Sequence, residues 1–129
     1  MRAIKEILFE STDEFEADLQ LLGAEQRRAV VDLVNRLGNL FAHDRGQFHN
    51  RARALRTIDK IWGEFKSSLY VGRLRDLRVI FSADDDPAFE RAVITLFAVA
   101  QRANVYDRWD STARRLYGQG FRQRGGRRE

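Results

Sequence analysis

Leu69-Tyr70-Val71-Gly72-Arg73-Leu74-Arg75-Asp76-Leu77-Arg78-Val79-Ile80-Phe81 is the stretch whose period decides the fold. Leu69, Val71 and Arg73 alternate with Tyr70, Gly72 and Leu74, and after a tight turn near Asp76 the residues Leu77, Val79 and Phe81 alternate with Arg78 and Ile80. A period of two places successive side chains on opposite faces of a strand, so the stretch predicts a β-hairpin. Towards the C-terminus, Ala83-Asp84-Asp85-Asp86-Pro87 reads as a turn, because aspartates favour turn conformations and Pro87 has no N–H for a ladder. Ala92 to Ala100 is then almost uninterruptedly apolar, which predicts a strand covered on both faces at the sheet centre. Trp109 to Tyr117 predicts a further helix stopped by Gly118, and residues 118–129 hold too little apolar content to pack, which predicts a flexible basic tail after a single domain spanning 1–117.

In the other direction, His43 to Ala54 is a polar stretch that reads as a long loop, where His43 and His49 would be solvent-exposed. Before it, Val30, Val34, Leu37 and Phe41 recur at helical spacing and predict a helix from about Ala24 to Phe41. Ser11 and Glu14 have capping-box spacing at the start of an earlier helix, with Phe15, Leu19 and Leu22 on one stripe and Gly23 as its end. Ile4 to Phe9 suits a short first strand. The order is strand, two-helix hairpin, then three strands able to pair as an antiparallel meander with helices on one face, an α+β fold.

Composition narrows the function classes. Of 129 residues, 43% are hydrophobic, enough for a core that offsets chain entropy. The absence of cysteine removes disulfides, a thiolate nucleophile and Cys-based zinc sites, which fits a reducing compartment and leads us to expect a cytoplasmic protein. No apolar run approaches membrane-spanning length, so no membrane association is expected. The 23 basic and 19 acidic residues leave +4, but Arg45, Arg51, Arg53, Arg56, Lys60, Lys66, Arg73, Arg75 and Arg78 crowd the middle. A clustered excess of this kind points to a polyanion partner.

Within that region three residues depart from the apolar strand pattern. Arg78 lies inside a strand, Arg102 follows the last strand, and Tyr106 comes four residues later. Two guanidinium groups suit phosphodiester chemistry, because each can bind two oxygens of a pentacoordinate phosphorus as charge gathers there. A phenol can take part in one proton transfer. Judged by spacing alone, the three fit equally well as surface residues with packed stems.

Four motifs in order add to this reading. They are Lys60-Ile61-Trp62-Gly63, Leu69-Tyr70-Val71-Gly72-Arg73, Leu77-Arg78-Val79-Ile80-Phe81, and Ala98-Val99-Ala100-Gln101-Arg102 followed by Val105-Tyr106. On these the chain resembles the RelE/ParE superfamily, the small toxins of bacterial type II toxin–antitoxin pairs. The resemblance implies a RelE/ParE-like α+β fold and a cognate antitoxin. For the ribonuclease branch it also implies cleavage of mRNA in the A site of the ribosome, next to 16S rRNA, with no metal or other cofactor. Arg78, Arg102, Tyr106 and Arg73 are then the catalytic set, and Lys60, Lys66, Arg75, Arg53 and Arg56 the RNA contacts. Where that branch commonly carries two lysines on the strand from Tyr70 to Arg73, this chain has Arg73, with Lys66 upstream; Asp59 is a lesser alternative as base. The ParE branch shares the fold and inhibits DNA gyrase, and a non-catalytic RNA-binding module is the third reading.

Overall fold

The computed structural model describes residues 4–54 and 69–128, with side chains as far as residue 116. Strand β1 (Glu6–Ser11) is followed by helices α1 (Asp13–Gln20), α2 (Ala24–His43) and α3 (Arg45–Arg51). Strands β2 (Ala52–Ala54), β3 (Leu69–Leu74), β4 (Leu77–Asp86) and β5 (Arg91–Gln101) come next, and helix α4 (Val105–Arg128) closes the order. The strands described form one sheet in the order β1-β5-β4-β3-β2. The hairpin is β3–β4, with Arg73 opposite Arg78 and Leu74 opposite Leu77, and its two-residue turn holds Arg75 at a positive φ of 54°. The expected α+β class, with an N-terminal strand and helix pair against a largely antiparallel sheet, is what the chain adopts; β1 alone joins in parallel, alongside β5.

Local signals were displaced in four places. The first helix is capped by Thr12 rather than by a Ser11–Glu14 box: the Thr12 hydroxyl accepts the Phe15 N–H at 3.1 Å, while Ser11 still belongs to β1. Gly23 does not end that helix, which stops at Gln20; it is the N-cap of α2. The stretch His43 to Ala54 is no loop. The Asp44 side chain accepts the Gln47 N–H at 3.2 Å and starts α3, and Phe48, fully buried, fastens that short helix to the core. The aspartates 84–86 continue β4, and the reversal falls on a 3-10 turn at Pro87–Phe89 with Glu90 left-handed at φ 53°. Asp85 and Asp86 are held in the strand by Arg45 at 2.5 Å and Arg91 at 2.9 Å, which explains why turn-prone residues stay extended there.

Helices cover both faces of the sheet rather than one. On the first face, Val30, Leu33, Val34, Leu37 and Phe41 of α2 meet Leu77, Val79, Phe81, Ile94 and Val99. On the second, Val105, Trp109 and Ala113 of α4 meet Leu69, Val71, Ile80, Phe97 and Ala98. That is why β5 reads as continuously apolar. It lies inside the sheet between β1 and β4, with β4 the middle strand, and a bulge opposite Ile80/Phe81 turns the consecutive Phe97 and Ala98 to the same side. Helix α4 begins four residues before Trp109 and its backbone runs through Gly118 to Arg128, so Gly118 is not a stop. No helix among the described residues is long and apolar enough to cross a membrane.

Helix α4 is also tied to α1. Arg115 is exposed and Glu14 half-buried, and the Arg115 Nη2 donates to Glu14 Oε1 at 2.6 Å. This contact holds the Glu14 carboxyl below its ordinary value of 4.5. The folded chain therefore binds the Glu14 proton less readily than the unfolded chain does. The resulting stabilisation is present above pH 4.5 and is lost as the pH falls through the lowered native value. Thermal unfolding of wild type and Glu14→Gln as a function of pH should show a wild-type advantage above pH 4.5 that disappears in more acid solution; a pH-independent difference would remove this pair from the acid response.

Candidate nucleic-acid interface

Antiparallel register carries the arginines to one place. Residues directly opposite one another share a face, so Arg73 on β3 and Arg78 on β4 stand side by side on the face that α4 covers. Arg53 on β2 is opposite Val71, two residues from Arg73, and joins the same face. Arg78 is in turn opposite Ala100 on β5, two residues before Arg102. Tyr106 follows in the first turn of α4. Arg53, Val71, Arg73, Arg78, Arg102 and Tyr106 together line an open depression of about 410 Å³.

Among the described residues the depression holds charge without counter-charge. Among its described lining residues there is no carboxylate, and none of its four arginines forms an ion pair with a described residue. Elsewhere Arg45, Arg91, Arg108, Arg114 and Arg115 all do. Like charges directly opposite on a sheet destabilise it, so the Arg73–Arg78 pair costs folding free energy that an anionic ligand would recover. Arg53, Arg73 and Arg102 are exposed, Arg78 is half-buried, and Tyr106 is 53% exposed with no hydrogen bond from its phenol to a described residue.

The hairpin turn organises two of these arginines. Arg78 Nη1 donates to the carbonyl oxygens of Arg75 at 2.7 Å and Leu77 at 2.8 Å, leaving its other N–H groups for a ligand. The Arg102 backbone N–H donates to the Asp76 carbonyl at 2.7 Å. The left-handed backbone at Arg75 thus aims the carbonyls that hold Arg78 and fix the start of the segment carrying Arg102 and Tyr106.

Most of the residues expected from the sequence fall among those described. Arg78, Arg102, Tyr106 and Arg73 converge, and Arg53, expected only as an RNA contact, stands among them. Arg75 does not line this depression. It faces a second one on the α2 side of the sheet, with Glu25, Gln26 and Asp76. Arg56, Lys60 and Lys66, the alternative base Asp59 and the Lys60-Ile61-Trp62-Gly63 motif lie outside the described residues. His43 ends α2, and His49 packs against Phe48 and Tyr70, on the far face from the arginines. Burial in that aromatic cluster pushes the Tyr70 phenol above its ordinary value. Reading 43–54 as a loop hid the strand that delivers Arg53; the signal available was Phe48, the one large apolar residue in a polar stretch.

No family model matches the chain, and no curated protein matches it. Solved structures similar to it include two toxin–antitoxin complexes. One is the RelBE2 complex from Mycobacterium tuberculosis, at 20% identity, with 74% of this chain and 96% of that chain covered and a TM-score of 0.49. The other is the RelB–RelE antitoxin–toxin complex from Methanococcus jannaschii, at 13% identity, covering 78% of this chain and 95% of that chain with a TM-score of 0.45.

Proposed function

We propose that this chain is the toxin of a toxin–antitoxin pair and that it cleaves mRNA on the ribosome without a metal. The observation that carries the reading is a depression lined by four arginines, none paired with a described acid, with a phenol at its edge. Its residue types fit transesterification of RNA. The ribose 2′-oxygen attacks the adjacent phosphorus, the bond from phosphorus to the 5′-oxygen breaks, and the products are a 2′,3′-cyclic phosphate and a 5′-hydroxyl. The 2′-hydroxyl gives up a proton and the departing 5′-oxygen receives one.

Arg78 and Arg102 bind the non-bridging oxygens as they gain charge, since a guanidinium offers paired donors in a fixed plane. Arg73 and Arg53 hold the flanking phosphates. Tyr106, exposed and making no hydrogen bond with a described residue, stacks on the base or transfers one of the protons. Arg56, Lys60 and Lys66 extend the contact to message and 16S rRNA, residues 118–129 add basic charge to it, and Arg75, on the other face, stands apart from it. A cognate antitoxin with acidic side chains would neutralise the chain by covering the depression. The absence of cysteine supports work in the reducing cytoplasm.

The deciding experiment adds purified full-length chain to ribosomes programmed with a defined message and maps the ends. Cleaved message with 2′,3′-cyclic phosphate termini is expected. Intact message at stoichiometric protein overturns the reading, and inhibition of DNA supercoiling in its place would assign the chain to the gyrase-directed class.

A further inference from the structure

Arg108 lies two residues beyond Tyr106 on α4, and two of its three guanidinium nitrogens are engaged by one carboxylate. Its Nε donates to Asp18 Oδ2 at 3.1 Å and its Nη2 to Asp18 Oδ1 at 2.5 Å. Asp18 is a charged residue on α1 only 6% exposed. We infer that Asp18 and Arg108 are positioning residues, which hold the first turn of α4 so that Tyr106 stands over the arginine depression; the inference rests on the function proposed above.

The apolar contacts of α4 leave this work undone. Val105, Trp109 and Ala113 set the height of the helix above the sheet, but apolar contacts are non-directional and resist sliding or rotation poorly. Two buried hydroxyls in this layer, Ser82 on the covered face and Thr112 on α4, find no hydrogen-bond partner among the described residues, which weakens the docking further. Tyr106 itself makes no hydrogen bond with a described residue, so its place follows from the helix alone. A two-point guanidinium–carboxylate contact supplies the missing direction.

The anchor on the other side is firm. Thr12 joins α1 to β5: its backbone N–H donates to the Leu96 carbonyl at 3.0 Å and its hydroxyl to the Phe97 carbonyl at 3.1 Å. Glu14 and Asp18 are four residues apart on one side of α1, and Arg115 and Arg108 are seven apart on one side of α4. Glu14 takes Arg115 and Asp18 takes Arg108, so the two helices run in opposite senses and are laced at two points. A continuous line of directional bonds therefore runs from β5 through Thr12, α1, Asp18 and Arg108 to the turn that carries Tyr106. A buried ion pair contributes little net stability but strongly constrains geometry.

The test uses the full-length chain and its Asp18→Asn, Arg108→Lys and Arg108→Gln variants, read by single-turnover cleavage on programmed ribosomes and by amide hydrogen exchange over residues 105–110. Asp18→Asn should lower the saturating single-turnover rate constant about tenfold or more, with the half-saturating concentration held within about twofold, and should speed exchange in that segment. Arg108→Lys, which keeps one charged bond, should fall between wild type and Arg108→Gln. In a Tyr106→Ala background Asp18→Asn should cost little more, because both changes act on one group. If Asp18→Asn does not fold, the two Arg108 variants carry the comparison. Wild-type exchange and rate constant in a folded variant overturn the inference, as does an Asp18→Asn effect undiminished by Tyr106→Ala. If the wild type cleaves nothing, the proposed function fails by itself and the exchange measurement still decides whether Asp18 and Arg108 hold the turn.

Discussion

Arg102→Ala should slow message cleavage about a hundredfold or more while leaving the unfolding midpoint close to that of wild type. The side chain is exposed and pairs with no described acid, so its removal takes no packing or ion pair from the folded state. Its structural contact, the backbone N–H to the Asp76 carbonyl, survives in alanine. Under the proposed mechanism what is lost is a donor to phosphate oxygens that gain further charge in the transition state, and such a loss appears mainly in kcat. Arg102→Lys separates charge from geometry: an ammonium keeps the charge but not the planar fork, and an intermediate rate is expected. Arg78→Ala is the less clean change, because it also removes the bonds to the Arg75 and Leu77 carbonyls and loosens the turn. A rate for Arg102→Ala equal to wild type would place the chemistry outside this depression.

Phe48→Ala carries the largest expected effect on stability, about 3–5 kcal/mol by urea unfolding. Phe48 is fully buried and meets Phe41 at 5.1 Å, Tyr70 at 4.9 Å and Phe81 at 6.1 Å between ring centroids, each edge-on. Truncation leaves a ring-sized cavity among three aromatic side chains that cannot all collapse into it. Because small domains hold only about 5–15 kcal/mol in total, the loss would be a large share. It also reaches the depression. Phe48 fastens α3, α3 leads directly into β2, and β2 presents Arg53, so weaker RNA binding should accompany the lower midpoint. Phe48→Leu, which refills much of the space, should recover most of the stability. A cost below about 1 kcal/mol would mean that α3 is held by other contacts.

The elements that could be read directly are those with a strong local period. The hairpin at Leu69–Phe81 and the α2 stripe of Val30, Val34, Leu37 and Phe41 repeat a pattern that one secondary structure satisfies. The apolar run around Ile94–Val99, which a buried helix also fits, reads as a strand by its Val, Ile, Thr and Phe content and the neighbouring hairpin. The misread elements are those that tertiary contacts hold against their local tendency. The Asp44 cap and the burial of Phe48 make a helix of a polar stretch, and ion pairs to Arg45 and Arg91 keep two aspartates in a strand. Thr12 rather than Ser11 became the cap because β1 extends through Ser11 in register with β5.

For the candidate site, residue types could be read and residue neighbours could not. The chain by itself determined an α+β domain with a cluster of basic residues in its middle, and it singled out Arg78, Arg102 and Tyr106, because composition and short-range periodicity are local properties. Only the tertiary structure decided that Arg53 joins them, that Arg75 faces the other way, and that Asp18 reaches across 90 positions to Arg108. Strand register, the bulge opposite Ile80 and the docking of α4 over the second face make those choices. Each is set by packing between segments far apart in sequence, which no local pattern encodes.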